Sequence, residues 1–168
     1  MGGLPGYLPG YANVADASAR ERLAKLWGLK QLPDKPGLTV VEIMNAILGG
    51  KIRGMYIMGE NPIVSDPNAH HVEEALNEVD LLIVQDIFLT ETAELADIVL
   101  PAASWLEKDG TVTGTERRVQ WMSKAIEPID QAKADWQIVS EVANRLNLGF
   151  DYSCPEDVLR EINKAVPS

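Results

Sequence analysis

IVQDIFLTETAELADIVLPAASWLEKDG, residues 83–110, holds two apolar runs, each ended by a polar or turn-forming group. Leu81-Leu82-Ile83-Val84 runs into Gln85 and Asp86, and Ile98-Val99-Leu100 runs into Pro101. Neither run alternates polar with apolar residues. Short unbroken apolar runs of this kind are what a parallel sheet covered on both faces requires. The first run ends on a carboxylate. A charged tetrad, Glu107-Lys108-Asp109-Gly110, follows the second.

Working outward, IRGMYIMG (52–59) is a further strand and ENPIVSDPN (60–68) a turn-rich loop. NAHHVEEALNEV (68–79) reads as a helix capped by Asp66, with Pro67 at its first position. LTETAELAD (89–97) is a short helix or turn. The segment from Ser104 to about Trp121 reads as loop with a small hairpin. DWQIVSEVANRLN (135–147) and PEDVLREINKAV (155–166) are amphipathic helices. Nearer the start, SARERLAKLW (18–27) reads as a helix with Ser18 as N-cap. In LTVVEIMNAILGG (38–50), Thr39 and Glu42 have capping-box spacing and Gly49-Gly50 ends the helix. Residues 1–15, rich in glycine and proline, read as neither helix nor strand. The alternation of helix and strand predicts an α/β fold with a mostly parallel sheet. Three strands make a thin sheet.

The chain has 168 residues, 46% of them hydrophobic, and a net charge of −10. That length suits one domain with a real core. The acidity argues against a general nucleic-acid binder but leaves room for a locally positive pocket holding one anionic cofactor. No apolar run is long enough to span a bilayer, so no membrane contact is expected of this segment. The glycine-rich opening lacks the features of a signal peptide. The single cysteine, Cys154, rules out an internal disulfide framework and reads as a reduced structural thiol, which suits a cytoplasmic setting.

In doubly wound sheets, ligands gather outside the carboxyl ends of the strands. Three segments lie at such ends and converge if the strands are neighbours: Met58-Gly59-Glu60-Asn61, Gln85-Asp86, and the chain from Pro101 to Lys108. Gly59 would admit a ligand close to the backbone. Asp86 offers a carboxylate to a donor–donor edge such as that of guanine. Lys108 offers a point charge to a phosphate. Each group also has an ordinary reading. GENP suits a plain strand-to-loop turn, Asp86 a cap, and Lys108 a solvated turn lysine. The adjacent His70 and His71 do not share a helix face and make poor metal partners. No P-loop, nucleophile elbow or metal-ligand signature occurs. The residues alone describe an acidic α/β domain with a nucleotide-type edge and no catalytic constellation.

YIMGENPIVSDP (56–67), LLIVQDIFLTETAELADIVLPAASWLEKDGTVTGTERRVQ (81–120) and KADWQIVSEVANRL (133–146) together resemble the molybdopterin oxidoreductases of the dimethyl-sulfoxide-reductase type. The opening MGGLPGYLPGY and VQDIFLTETA resemble the catalytic alpha subunit of formate dehydrogenase more than the nitrate reductases. The resemblance implies an interior piece of a much longer enzyme that oxidises formate to CO2. Such an enzyme uses a bis(molybdopterin guanine dinucleotide) with molybdenum or tungsten. The resemblance further implies a three-layer αβα domain of which this is one half. Residues 1–37 would be an irregular lead-in, 38–125 the αβα part, and 126–168 helices beside it. Cofactor contacts are implied for Gly59, Glu60, Asn61, Gln85, Asp86, Thr90, Lys108 and Asp135. The metal-ligating residue, the formate-holding arginine and the 4Fe–4S cysteines would lie outside the segment, so no catalytic residue is expected in it. Its partners would be the remainder of its own polypeptide and electron-transfer subunits. A nitrate reductase, the large iron–sulfur subunit of complex I, or a stand-alone nucleotide- or partner-binding module are the alternatives.

Overall fold

The structure, a computed structural model, describes residues 4–166. These fall into two compact units. One holds the chain up to Ile43 and from Glu156 onward, and the other is Met44–Pro155.

In the first unit, β1 (Tyr7–Leu8) and β2 (Ala12–Asn13) form a small antiparallel hairpin where the sequence suggested no regular structure. Gly10 (φ 79°) and Tyr11 (φ 57°) take left-handed conformations at its turn, and the glycine makes that possible without steric cost. Helix α1 (Ala17–Leu26) starts two residues earlier than a Ser18 cap would require. Asp16 is the cap. Its Oδ1 accepts from the Ser18 and Ala19 amides at 2.9 and 3.3 Å. A carboxylate offers the stronger acceptor and complements the helix dipole, so it outcompetes the hydroxyl. Leu23 has no exposure and anchors this unit. The Trp27 indole N–H donates to Glu161 and Arg22 Nη1 to the Ala165 carbonyl.

Helix α2 (Val40–Leu48) has the expected start, the Thr39 amide donating to Glu42 Oε2 at 2.7 Å. It ends at Gly50 (φ 68°), past which the Lys51 amide reaches back to the Ala46 carbonyl. Met44 and Ile47 turn inward. Strand β3 (Gly54–Met58) follows. Helix α3 (Pro62–Ser65) occupies the stretch expected to be loop. Its first residue is Pro62, whose fixed φ suits a helix start. That short helix displaces the next one. Asp66 closes α3, its amide donating to the Pro62 carbonyl. Asp66 does not cap α4 (Ala69–Glu78), which begins later, after a left-handed Asn68 (φ 61°) at the cap position.

Strand β4 (Leu81–Asp86), helix α5 (Glu91–Glu94) and strand β5 (Ile98–Pro101) match the sequence reading. The sheet is parallel throughout, in the order β3-β4-β5. Its central strand carries the core, with Leu82 and Val84 at 1% and 0% exposure. Burying each such side chain contributes about 1.5–3 kcal/mol. Strands β6 (Gly110–Thr113) and β7 (Val119–Met122) form the expected antiparallel hairpin. The chain then returns to lie parallel beside β5 at Ala102–Lys133. Helices α6 (Asp135–Arg145) and α7 (Pro155–Ala165) complete the chain. The result is the mixed α/β arrangement around a parallel sheet that the alternation of elements predicted. Among the described residues, no helix is long and apolar enough to cross a membrane.

Candidate functional site

The carboxyl ends of β3, β4 and β5 come to one edge because the strands are neighbours in parallel register. Pairing continues one residue past β3 and past β5. The Gly59 amide donates to the Gln85 carbonyl at 2.9 Å, and the Ala102 amide to the Asp86 carbonyl at 2.9 Å. Gly59 has φ 65°, and nothing lies within 4 Å of where a Cβ would stand. Its backbone is therefore open to close approach. Glu60 beside it is exposed. Asp86 Oδ1 accepts from the Phe88 amide at 3.0 Å, a local turn. Its Oδ2 has no partner among the described residues.

Behind that edge, three of the expected residues meet each other. Gln85 Nε2 donates to Asp135 Oδ1 at 2.8 Å. Lys108 Nζ donates to Asp135 Oδ2 and, at 2.9 Å, to the Ala103 carbonyl. The Tyr56 hydroxyl donates to Gln85 Oε1. Asp135 as a carboxylate only accepts, so the amide nitrogen must face it and the amide oxygen must face the phenol. Gln85 is wholly buried, and both ends of its amide are used. Burial pushes the Tyr56 phenol above its ordinary pKa, and the Asp135 charge adds to the rise.

Each member is delivered by a separate element. Tyr56 opposes Ile83 and Met58 opposes Gln85 in the register. Tyr56 and Gln85 therefore share a sheet face. Asp135 sits in the first turn of α6, where the helix dipole favours a carboxylate. The isolated bridge between Lys133 and Ala102 sets that turn in place, the Lys133 carbonyl accepting from the Ala103 amide at 2.8 Å. Gln137 reaches back to the Ala134 amide at 3.2 Å, and alanine supplies no reciprocal acceptor. Lys108 follows a tight turn closed by Glu107. Glu107 is 6% exposed and accepts from the Ser104 amide at 2.7 Å. That amide holds the Glu107 carboxyl below the usual carboxylate range, with a smaller push from the Lys108 charge.

The other expected residues lie apart from this network. Asn61 Oδ1 accepts from the hydroxyl of buried Thr92 at 2.7 Å, and Asn61 Nδ2 donates to Glu91 at 2.8 Å. Thr90 caps α5, its hydroxyl accepting from the Ala93 amide at 3.2 Å. Sequence reading missed Tyr56, Thr92 and Glu107. Tyr56 had a signal, as a phenol inside an apolar strand needs a partner. Thr92 and Glu107 had none beyond ordinary polar residues in turns.

Residues 2–145 match the family model described as Molybdopterin oxidoreductase. The chain is 50% identical over 169 residues to the F420-dependent formate dehydrogenase subunit alpha of Methanocaldococcus jannaschii. That match covers 99% of this chain and 24% of the relative. It is 46% identical over 167 residues to a putative formate dehydrogenase, YrhE, of Bacillus subtilis, covering 99% and 17%. It is 40% identical over 167 residues to formate dehydrogenase H of Escherichia coli, covering 99% and 23%. The acetylene hydratase of Pelobacter acetylenicus shares the fold, with a TM-score of 0.67 at 22% identity over 90% of this chain and 22% of that one. The chain belongs to the molybdopterin oxidoreductase family. It spans a quarter or less of the length of these curated relatives.

Proposed function

We propose that this chain is a segment of the catalytic subunit of a formate dehydrogenase, with residues 38–125 contributing to its cofactor-binding domain. The identity of 40–50% to formate dehydrogenases along nearly its whole length carries the reading. The complete enzyme would oxidise formate to CO2, releasing two electrons and one proton. A bis(molybdopterin guanine dinucleotide) with molybdenum or tungsten would supply the electron-accepting centre when bound.

The residues at the strand ends fit the guanosine end of such a cofactor. The open side of Gly59 gives room against the backbone. The unshared Oδ2 of Asp86 gives an acceptor for the N1–H and amine of guanine. Glu60 is exposed beside them. Asn61 and Thr90 would shape the loops on either side. Lys108, Asp135 and Gln85 would brace the edge, and the Lys108 side chain, which stays partly exposed, would bring its charge toward a phosphate. The 4Fe–4S cluster, the metal ligand and the formate-binding groups would be supplied by the remainder of the polypeptide, and electron-transfer subunits would take the electrons onward. A cytoplasmic setting belongs to the same proposal, and a chain whose single cysteine, Cys154, can form no internal disulfide is compatible with it.

Asp86→Ala in the full-length enzyme tests the assignment. Loss of molybdenum or tungsten content with loss of formate oxidation is expected. Unchanged metal content and activity would remove Asp86 from the site.

A further inference from the structure

Asp86 is clamped through its main chain, since the carbonyls of Gln85 and Asp86 accept from the amides of Gly59 and Ala102, each at 2.9 Å. Among the described residues, its side chain is held only by the Phe88 amide. Gln85 supplies one of the two clamped carbonyls, so a displacement of Gln85 is passed to the clamp and to Asp86 beside it. Gln85 is wholly buried, and a buried amide with both ends paired has one orientation. Its nitrogen is fixed by Asp135. Its oxygen has one partner among the described residues, the Tyr56 phenol, which comes from the adjoining strand. Without that phenol the buried oxygen is orphaned, a cost that a shift of the strand end would relieve.

We propose that Tyr56 is a positioning residue which, acting through Gln85, fixes the direction of the Asp86 carboxylate. Tyr56 touches no ligand in this scheme. Its value for the enzyme rests on the reading that Asp86 faces the cofactor.

The test is hydrogen exchange, followed by mass spectrometry on peptides that resolve Phe88, because the Phe88 amide reports where the Asp86 carboxylate stands. In Tyr56→Phe, the Phe88 amide is expected to exchange about fivefold faster, as loss of one hydrogen bond implies. Amides of α4 and of β3 should hold their rates. Gln85→Met is expected to accelerate Phe88 alike, and the double variant no more than either alone, because both break the same link. It also serves where Tyr56→Phe proves poorly folded. Unchanged Phe88 exchange, or equal acceleration across the whole sheet, would overturn the proposal. The cofactor reading fails separately: metal content unaffected by Asp86→Ala removes that reading while leaving the Phe88 result standing.

Discussion

Gln85 and Asp135 stand 50 residues apart in the chain and 2.8 Å apart in the structure, amide nitrogen to carboxylate oxygen. That bond joins the central strand to the first turn of α6, and Lys108 closes it from the far side. Replacing Gln85 with Glu puts a second carboxylate against Asp135 in a buried place. Destabilisation of about 1–3 kcal/mol at neutral pH is expected from urea unfolding. Adding Asp135→Asn should restore most of it. A Gln85→Glu chain as stable as the parent would show that the two groups do not meet.

Glu107 makes the stability of the Ser104–Lys108 turn depend on acid. Its folded carboxyl is held below the ordinary range, first by the Ser104 amide. A depressed folded pKa gives stability that is present above the unfolded pKa and lost as pH falls through the folded one. The melting temperature of Glu107→Gln should therefore trail the parent most at neutral pH, and the gap should close in acid. A gap that stays constant with pH would contradict the assignment.

Gly59 separates backbone strain from crowding. Its φ is 65°, yet space is open beyond it. Gly59→Ala should cost about 1–2 kcal/mol by conformation alone, and Gly59→Asn less, since asparagine tolerates the left-handed region. Chemical denaturation of the two variants gives the comparison. Equal losses would point to a contact rather than to the backbone.

Thr92 is wholly buried, and its hydroxyl donates to Asn61. Thr92→Val keeps the shape and deletes the donor. A loss of about 1–2 kcal/mol is expected. Because Asn61 is its partner, Asn61→Ala combined with Thr92→Val should cost less than the two single losses added. Simple additivity in a double-mutant cycle would mean the bond carries no stability.

The strands and helices were legible where local signals were strong. LLIVQD forms β4 over the predicted span because an unbroken apolar run bounded by polar residues has few other uses. Thr39 and Glu42 announced α2 by spacing alone. Asp16 and α3 were missed for a shared reason. Both lie where local signals are weak: two nearby polar residues could each cap α1, and the four residues of α3 are too few to show a helical period. The candidate site was legible as a list but not as an arrangement. Strand ends gave Gly59 and Asp86 by elementary topology. Gln85, Lys108 and Asp135 appeared on the same list as three ligand contacts, while in the structure they bond to one another. Sequence spacing holds no record of a bond across 50 residues.

The strands of the parallel sheet occur across it in the order in which they occur along the chain. Such a sheet can assemble by successive additions. The link from β4 to β5 is the shorter, Ile83 facing Ile98, and that from β3 to β4 is longer, Gly54 facing Leu81. Loop-closure entropy grows slowly with length, by about 0.6 kcal/mol per doubling, so both pairings are accessible early. The bond from Gln85 to Asp135 closes the widest loop of the network and needs both α6 and the sheet in place. It is thus expected to form last, with a transition-state value near zero for Asp135 and higher values for Leu82 and Val84. The strand scaffold would then be complete before the candidate edge acquires its final shape.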